Sequence, residues 1–468
     1  MTTPQAASAD RTHARFWTEP AAALALCLVV VLWQTLRPAY TRPIADALQY
    51  ARIALDLVDA WRAPDKSWLD TFGLYFGPGY PGFLSLFSLV DPGLESTLRC
   101  VVDPKAVCDL GGLTPLFIIQ GLLAAVSAWV IFLAARRLTA DRRVAWIALL
   151  LVLGTKVNAH YGALVLTEAL AFPFFFLFLW QFAEVLTAKG GPPCKAATVC
   201  GLALAAAVLV RPSYTFLVEF MVLVLVAQAW TRRDRGLAVA LAPTIAFVLG
   251  VALLLGPWVL RNYLVLGVAA VSQGAGDKVL IERLPYNLMT WKEWAVSFVY
   301  WLPDFGDNLA RVLFNHADYA RLGWYEPETF YSMGRGRFFL DLRQASGQSG
   351  HPLAYLVKNY VLNDLGKHVA VTFALAWRGM WVGKYLGLVG FVLSPVCFRR
   401  LARSGRALPF AFFCLPGFFM LGLYAFVTVN VVRYNEPLIA VFAVSVAVAL
   451  VALAERVRDR FVTRKEMP

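Results

Sequence analysis

Charge is scarce in this chain of 468 residues. Asp, Glu, Lys and Arg make up only 16% of it, against roughly a quarter in soluble domains. That scarcity excludes a charged, solvent-swollen disordered chain. Histidine is rarer still: five residues, His13, His160, His316, His351 and His368, with no two at an i, i+4 ligand spacing. The seven cysteines are dispersed without a CxxC pair, which removes the usual zinc and dithiol motifs. No G-x-S-x-G and no phosphate-binding Walker loop occurs, so the common hydrolase and nucleotide signatures are missing. The 33 Gly and 25 Pro follow no period, which rules out a collagen-like repeat. In their place stands apolar mass: 59% hydrophobic, 14% aromatic and a mean hydropathy of +0.61. A polytopic all-α membrane protein is the class that fits.

Ten apolar runs are expected to span, at about 20–36, 113–135, 144–160, 164–186, 197–211, 213–230, 237–258, 380–397, 408–428 and 437–454. Each is long enough, or nearly so, to cross about 30 Å of hydrocarbon as a helix. Placing the N-terminus inside makes 1–19, 136–143, 187–196, 231–236, 399–406 and 455–468 cytoplasmic, with 20 Lys and Arg in 65 residues. The short loops RRLTADRR, TRRDR and RRLARSGR then share one side, as the positive-inside rule requires. The formal net charge of +13 is therefore mostly topology and does not call for a nucleic-acid partner. Both termini are expected in the cytoplasm. The first span, preceded by Arg11 and Arg15, reads as an uncleaved anchor because nothing suited to signal cleavage follows Leu36.

The expected organisation follows: a tail and first span (1–36), an outer loop (37–112), spans two to seven (113–258), a large outer loop (259–379), spans eight to ten (380–454) and a basic tail (455–468). Most of the non-membrane mass is outside, and the function is placed there. Cys100 and Cys108 are the only cysteines in these loops. An oxidising compartment predicts a disulfide between them, with two free thiols as the alternative.

In IADALQYARIALDLVDAW, Asp46, Gln49, Arg52, Asp56 and Asp59 recur at helical spacing. Ile44, Leu48, Ala51, Leu55 and Val58 take the opposite face, giving an amphipathic helix at the membrane interface. A solvated stripe accounts for Asp56 and Asp59. Asp46 stands at the helix start, where the dipole favours an acid near the bilayer surface. Downstream, Gly77-Pro-Gly79-Tyr-Pro-Gly82 satisfies G-x-G-x-x-G in letters only. A dinucleotide loop needs backbone N–H groups between a strand and a helix, and Pro78 and Pro81 have none.

The order of first span, D-x-x-x-Y-x-x-I-A helix (Asp46, Tyr50, Ile53, Ala54) and YFGPGYP resembles the GT-C glycosyltransferases. Within them it is similar to the protein O-mannosyltransferase and lipid A aminoarabinose-transferase type of bacterial enzymes. LTEALAFP (166–173), LVRPSY (209–214), GPWVLRNYLVLG (256–267) and RYNEPL (433–438) agree with that order. The resemblance covers most of the chain, while each motif alone is short and degenerate.

The resemblance implies a sugar moved from a polyprenyl-phosphate carrier to a lipid, glycan or protein acceptor at the outer face of a bacterial cytoplasmic membrane, with inversion. It makes Asp46 the catalytic base. Many relatives carry two consecutive acids there, whereas here Ala47 follows Asp46, so no role shared between neighbouring acids is carried over. Glu168 is the second catalytic candidate, at the outer end of the fourth span; an acid at membrane depth is costly unless used. The competing reading is structural, with Thr167 capping that helix and Glu168 complementing its dipole. Tyr50, Arg211, Arg261, Arg433 and Tyr434 fall in the resembling stretches and are expected to bind substrate. The arginines would grip the leaving phosphate through paired N–H bonds, although any single one also suits snorkelling to the interface. Arg378, Lys384 and Lys156 lie at outer ends outside these motifs. No metal ligands are assigned; the resemblance leaves room for a divalent ion near Asp46 and Glu168, because some GT-C enzymes use one.

Trp291, Trp294, Tyr300, Trp301, Trp324, Tyr325, Phe330 and Tyr331 crowd the second outer loop. They read as a sugar-stacking cleft or, for most of them, as an interfacial aromatic belt. The expected architecture is a membrane core capped by helical outer loops over a cavity open to lipid and to the acceptor. Two other functions remain: a surface-polysaccharide polymerase or ligase, and a transporter or flippase. The latter should show internal repeats and polar residues at mid-membrane, whereas the polar groups here cluster at the outer ends.

Overall fold

The computed structural model describes residues 4–37, 41–63, 71–73, 75–273 and 276–465. Part of the linker after the first span, 38–40, and the last three residues of the basic tail lie outside the described residues. Among those described there is no strand. A chain this apolar must satisfy its backbone N–H and C=O groups within each segment, and the helix does so. The protein is an all-helical, multi-pass membrane protein.

Among the described residues, eight helices are long and apolar enough to span: Thr18–Leu36, Gly111–Thr139, Glu168–Thr187, Pro212–Trp230, Leu237–Leu266, Tyr385–Arg403, Ala407–Val427 and Val432–Asp459. Two of the ten expected runs fall outside that set for different reasons. Cys194–Val210 is apolar and helical but has only 17 residues. The run 144–160 is broken: Arg142–Thr155 ends at Lys156, whose φ of 59° is left-handed, and Val157–Gly162 is a separate short helix.

The chain forms two compact units. The first comprises Met1–Val271, Leu393–Phe413 and Ala443–Pro468; the second comprises Ser272–Val392 and Cys414–Phe442.

In the first unit, Cys194–Val210 lies against Leu237–Leu266 with two glycines at the contact. A Cβ on Gly201 would stand 2.2 Å from the Phe247 carbonyl oxygen, and one on Gly250 would stand 2.4 Å from that of Thr198. Backbones this close need small residues. Elsewhere Glu19, only 7% exposed, receives Arg136 at 2.7 Å, Arg142 at 2.6 Å and the Trp146 indole N–H at 2.8 Å. One carboxylate thus ties the first span to two later helices.

The second unit is built on aromatic residues. Tyr286, Trp301, Leu322, Phe330, Val371 and Leu375 are buried together in one cluster. Trp294, Trp301 and Trp377 donate their ring N–H groups to the carbonyls of Ala370, Leu322 and Phe298. Trp301 and Phe330 therefore belong neither to a cleft nor to a belt. They form the core, because flat rings supply a large buried area and a Trp N–H can still reach a carbonyl. Trp291 and Tyr325 remain exposed.

Arg283 in this unit is 0% exposed and is held by neutral acceptors. Its Nε donates to the Ala425 carbonyl at 2.9 Å, Nη1 to Asn287 Oδ1 at 3.0 Å and Nη2 to the His368 carbonyl at 3.2 Å. His368 completes the set: Nδ1 meets Asn287 Nδ2 at 3.0 Å, and Nε2 meets the Phe426 carbonyl at 3.0 Å. An amide N–H on Nδ1 and a carbonyl on Nε2 require the neutral tautomer with its proton on Nε2. Burial, reinforced by the neighbouring Arg283 charge, lowers the His368 pKa to about 4.

Candidate functional site

The Asp46–Arg62 helix carries the expected face. Asp46, Gln49, Arg52, Asp56 and Asp59 are exposed, while Ala47, Tyr50, Ala51, Ala54, Leu55, Leu57 and Val58 are buried. The buried face is wider than the period suggested, and Ile44 is exposed rather than buried. The reason is that this helix packs on two others, Gly79–Val90 and Pro92–Val102. Ion pairs fasten the second contact. Arg62 grips both Glu95 oxygens at 2.8 and 2.7 Å, and Arg99 reaches Asp59 at 2.5 Å and Glu95 at 3.0 Å. The hydrogen bond from Arg62, aided by Arg99 and opposed by burial, lowers the Glu95 pKa to about 2.

The segment before Asp46 is anchored too. Cys100 and Cys108 are disulfide-bonded, and the loop they close turns three carbonyls toward Arg42. That side chain donates to Val101, Asp103 and Ala106 at 3.2, 2.5 and 3.0 Å. Ala45 follows with a φ of 51°, a left-handed residue that turns the chain into the helix at Asp46.

Glu168 opens its helix almost fully buried, 2% exposed. Thr167 does not cap it: the Thr167 backbone is already helical, with no side-chain cap. Its hydroxyl instead donates to Glu168 Oε2 at 3.2 Å. The other oxygen, Oε1, receives Arg211 Nη1 at 3.0 Å, and Arg211 is 12% exposed. Arg211 stands at the end of Cys194–Val210, and the glycine-rich loop explains why that end is reachable. A Cβ on Gly77 would lie 2.2 Å from the Leu209 carbonyl oxygen, and one on Gly79 would lie 2.7 Å from a Val210 methyl. These glycines serve backbone approach to the residues just before Arg211.

Tyr50 joins the two acids. Its phenol pKa is pushed up to about 12, first by burial and then by the charges of Asp46 and Glu168, with Arg211 and a hydrogen bond to Thr167 acting in the opposite sense. Tyr50 thus lies within electrostatic reach of Asp46, Glu168 and Arg211. The Tyr50 ring packs edge-on against Phe76 and Tyr80, with centroids at 5.3 and 5.5 Å.

Tyr80 donates to Gln120 Oε1 at 2.8 Å, and Gln120 Nε2 donates to the Gly162 and Leu164 carbonyls at 3.0 and 2.9 Å. This chain of bonds supports the segment leading into Glu168. The sequence analysis assigns no role to Gln120 or to the Tyr80 hydroxyl, and it gives Thr167 a capping role that the structure does not show. A lone Gln in the apolar run TPLFIIQGLLAAV was the available signal, since a buried amide must find partners.

Arg261 lies one step away. Its Nη2 donates to the Phe72 carbonyl at 2.9 Å, Nη1 donates to Asn262 Oδ1 at 2.8 Å, and its guanidinium sits over Trp258. Phe72 lines a recess of about 210 Å³ with Ile53, Tyr75, Phe76 and Pro81, so Arg261 holds the wall of an aromatic pocket beside Tyr50.

Arg433 and Tyr434 belong to the second unit. There Arg433 lies over the Tyr434 ring at 5.5 Å, and Tyr434 packs on Tyr424 at 5.2 Å. Arg378 is 4% exposed, enclosed by Tyr286, Trp301 and Trp324 at 4.6–5.0 Å and bonded to the Tyr286 hydroxyl and the Val429 carbonyl. It is a core residue. Lys384 pairs with Asp304 at 3.2 Å, and Lys156 marks the helix break. Among the described residues, no three His, Cys, Asp or Glu side chains converge to hold a metal ion.

No family model and no curated protein matches the chain. Solved structures do. The Archaeoglobus fulgidus oligosaccharyltransferase in complex with zinc and sulfate is similar at 15% identity and a TM-score of 0.49, over 94% of this chain and 50% of that one. Its apo form gives 14% identity and 0.49, over 97% and 52%. ArnT from Cupriavidus metallidurans bound to undecaprenyl phosphate gives 14% and 0.47, over 92% and 59%. The chain thus spans between half and three-fifths of the length of these structures.

Proposed function

We propose that this chain is an inverting membrane glycosyltransferase that moves a sugar from a polyprenyl-phosphate carrier to an acceptor at the outer membrane face. The observation that carries the reading is the grouping of Asp46, Tyr50, Glu168 and Arg211 around one locus in the first unit. These are the motif residues for which the sequence resemblance implies catalysis and phosphate binding. They come from three stretches of the sequence, around 46–50, 168 and 211.

Asp46 is exposed at a helix start and so open to an incoming acceptor. As general base it takes the proton of the acceptor hydroxyl or amine while that atom attacks the anomeric carbon. The bond to the phosphate oxygen breaks on the opposite face, and polyprenyl phosphate leaves with the electron pair. A positioned base contributes about 10²–10⁴-fold. Charge grows on the departing phosphate, so a cation already in place lowers the barrier. Arg211 supplies it.

Both Glu168 oxygens are engaged, one by Arg211 and one by Thr167. Glu168 is accordingly a positioning residue that fixes the Arg211 guanidinium. Arg261 shapes the adjoining aromatic pocket. No step is routed through a metal ion.

The test is mass spectrometry of envelope glycans and glycolipids in a deletion strain. One sugar residue should disappear on deletion and return with the wild-type gene but not with Asp46→Asn at matched membrane level. An unchanged glycan profile in a strain that normally expresses the gene would defeat the proposal and favour a transporter.

A further inference from the structure

Two helices of the second unit carry apolar faces that stay exposed. The first is Gly306–Leu313. Gly306 and Ala310 form its buried edge, and Asp307 and Arg311 pair at 3.6 Å on a second side. On the third side Phe305, Leu309, Val312 and Leu313 are exposed together, Val312 to 82%. The other helix is Leu365–Gly379, where His368, Val371 and Leu375 face the core. Its Leu365, Val369 and Phe373 recur at i, i+4 and i+8, which sets them on one stripe. All three are exposed, Phe373 to 65%. The Asp46–Arg62 helix differs, since its apolar face is spent on two neighbouring helices.

Both helices are tied to the start of one membrane span, Tyr385–Arg403. Asp304, just ahead of Gly306, pairs at 3.2 Å with Lys384, the residue before that span. Trp377, one turn beyond Phe373, packs on Phe391 with ring centroids at 6.0 Å. Phe391 lies inside the span, about 9 Å along the helix axis from Tyr385. The last turn of Leu365–Gly379 is therefore level with the first turns of a membrane helix. An apolar stripe held at that level meets the boundary between headgroups and acyl chains. Helices with one apolar and one charged side lie in that boundary.

We propose that Gly306–Leu313 and Leu365–Gly379 dock on the lipid leaflet at the Tyr385 end of that span. Their apolar stripes insert among the upper acyl chains, and the Asp307–Arg311 pair stays at the headgroups. The second unit is thereby held to the bilayer by these two helices as well as by its own membrane segments. The partner is the lipid surface. The inference rests on the span and its contacts and not on glycosyl transfer.

The experiment replaces part of the leucine of the full chain with photo-leucine and irradiates the membrane vesicles that carry it. Mass spectrometry then identifies what has joined Leu309, Leu313 and Leu365. Phospholipid adducts should dominate at all three positions. Water adducts in their place would reveal a solvated face and overturn the proposal. Crosslinks to a second copy or to another protein would overturn it in favour of a protein interface. Val312→Glu, at an exposed position outside the core, should lower the lipid adducts at Leu309 and Leu313 by at least about fivefold and leave Leu365 unchanged. Undiminished lipid adducts at Leu309 and Leu313 in that variant would also overturn it.

Discussion

Two arginines, Arg211 partly buried in the first unit and Arg283 fully buried in the second, are held by partners of different chemistry. Arg211 in the first unit meets a carboxylate, Glu168, within the influence of a second acid and a tyrosine. Arg283 in the second is more deeply buried and touches no acid; three carbonyl or amide oxygens and a hydroxyl receive it. Arg378 is likewise satisfied by aromatic faces, a phenol and a carbonyl. A cation clothed in neutral acceptors is a structural clamp, spread over fixed dipoles and closed to ligands. A cation held by a carboxylate in a partly open locus has its guanidinium oriented by an anion, which suits the phosphate-binding role proposed for Arg211. The burial of an arginine does not distinguish the two roles, whereas the chemistry of its partners does.

The comparison is most severely broken by removing one partner of the Arg211 pair. Glu168→Ala leaves a nearly buried guanidinium uncompensated, and losses of about 3–5 kcal/mol accompany such half-deletions. Glu168→Gln preserves shape and a hydrogen bond while weakening the hold on Arg211. Thermal melting in detergent should place Glu168→Ala well below Glu168→Gln. Equal melting points would mean that the carboxylate is not holding Arg211.

In the second unit, Phe330→Ala should cost about 3–5 kcal/mol through the cavity it opens and lower the melting temperature. The site's own residues lie in the first unit and should be unaffected.

Acid sharpens the contrast further. The folded pKa of His368, about 4, lies below its ordinary value of 6.5. The unfolded chain therefore binds the proton first, and the stabilising contribution is full above about 6.5 and is lost as pH falls toward 4. Glu95 has its folded pKa lowered from 4.5 to about 2, so its contribution is present above 4.5 and is lost in the more acidic window down to 2. Melting temperature against pH should show the His368 loss first, and His368→Asn should flatten it.

A smaller effect attends the outer loop. Cys100→Ser with Cys108→Ser releases a loop of eight-residue separation, worth about 2–3 kcal/mol in the chain-entropy account. It also loosens the carbonyls that hold Arg42. Proteolysis near 100–108 should accelerate, with a lesser fall in activity than any change at Asp46.

Much of this was legible from residues alone. Hydrophobic runs place the helices because an all-apolar segment has one way to satisfy its backbone in lipid. The polar stripe from Asp46 to Asp59 gave the exposed face of its helix because period and solvent agree. The left-handed turn at Lys156 carries no signature of its own, although the end of the run, 154–160, turns polar with Thr155, Lys156, Asn158 and His160. Thr167 looked like a cap by identity and position, yet its hydroxyl found a nearer acceptor in Glu168. The second-loop aromatics could not be sorted into core, cleft or belt, since composition is the same for each and only packing separates them. The Arg62–Glu95 and Arg211–Glu168 partnerships join residues 33 and 43 apart, distances over which sequence spacing carries no geometry.

In the proposed reaction Asp46 is the base, and Arg211, positioned by Glu168, serves the leaving phosphate. Its most direct test is transfer of labelled sugar from polyprenyl phosphate in membrane vesicles carrying wild type, Asp46→Asn or Glu168→Gln at equal protein level, followed over a range of donor concentration. Asp46→Asn should lower the turnover number by about 10²–10⁴-fold with the donor KM nearly unchanged. Glu168→Gln should act on donor KM and turnover together. Turnover by Asp46→Asn equal to that of wild type would contradict the account.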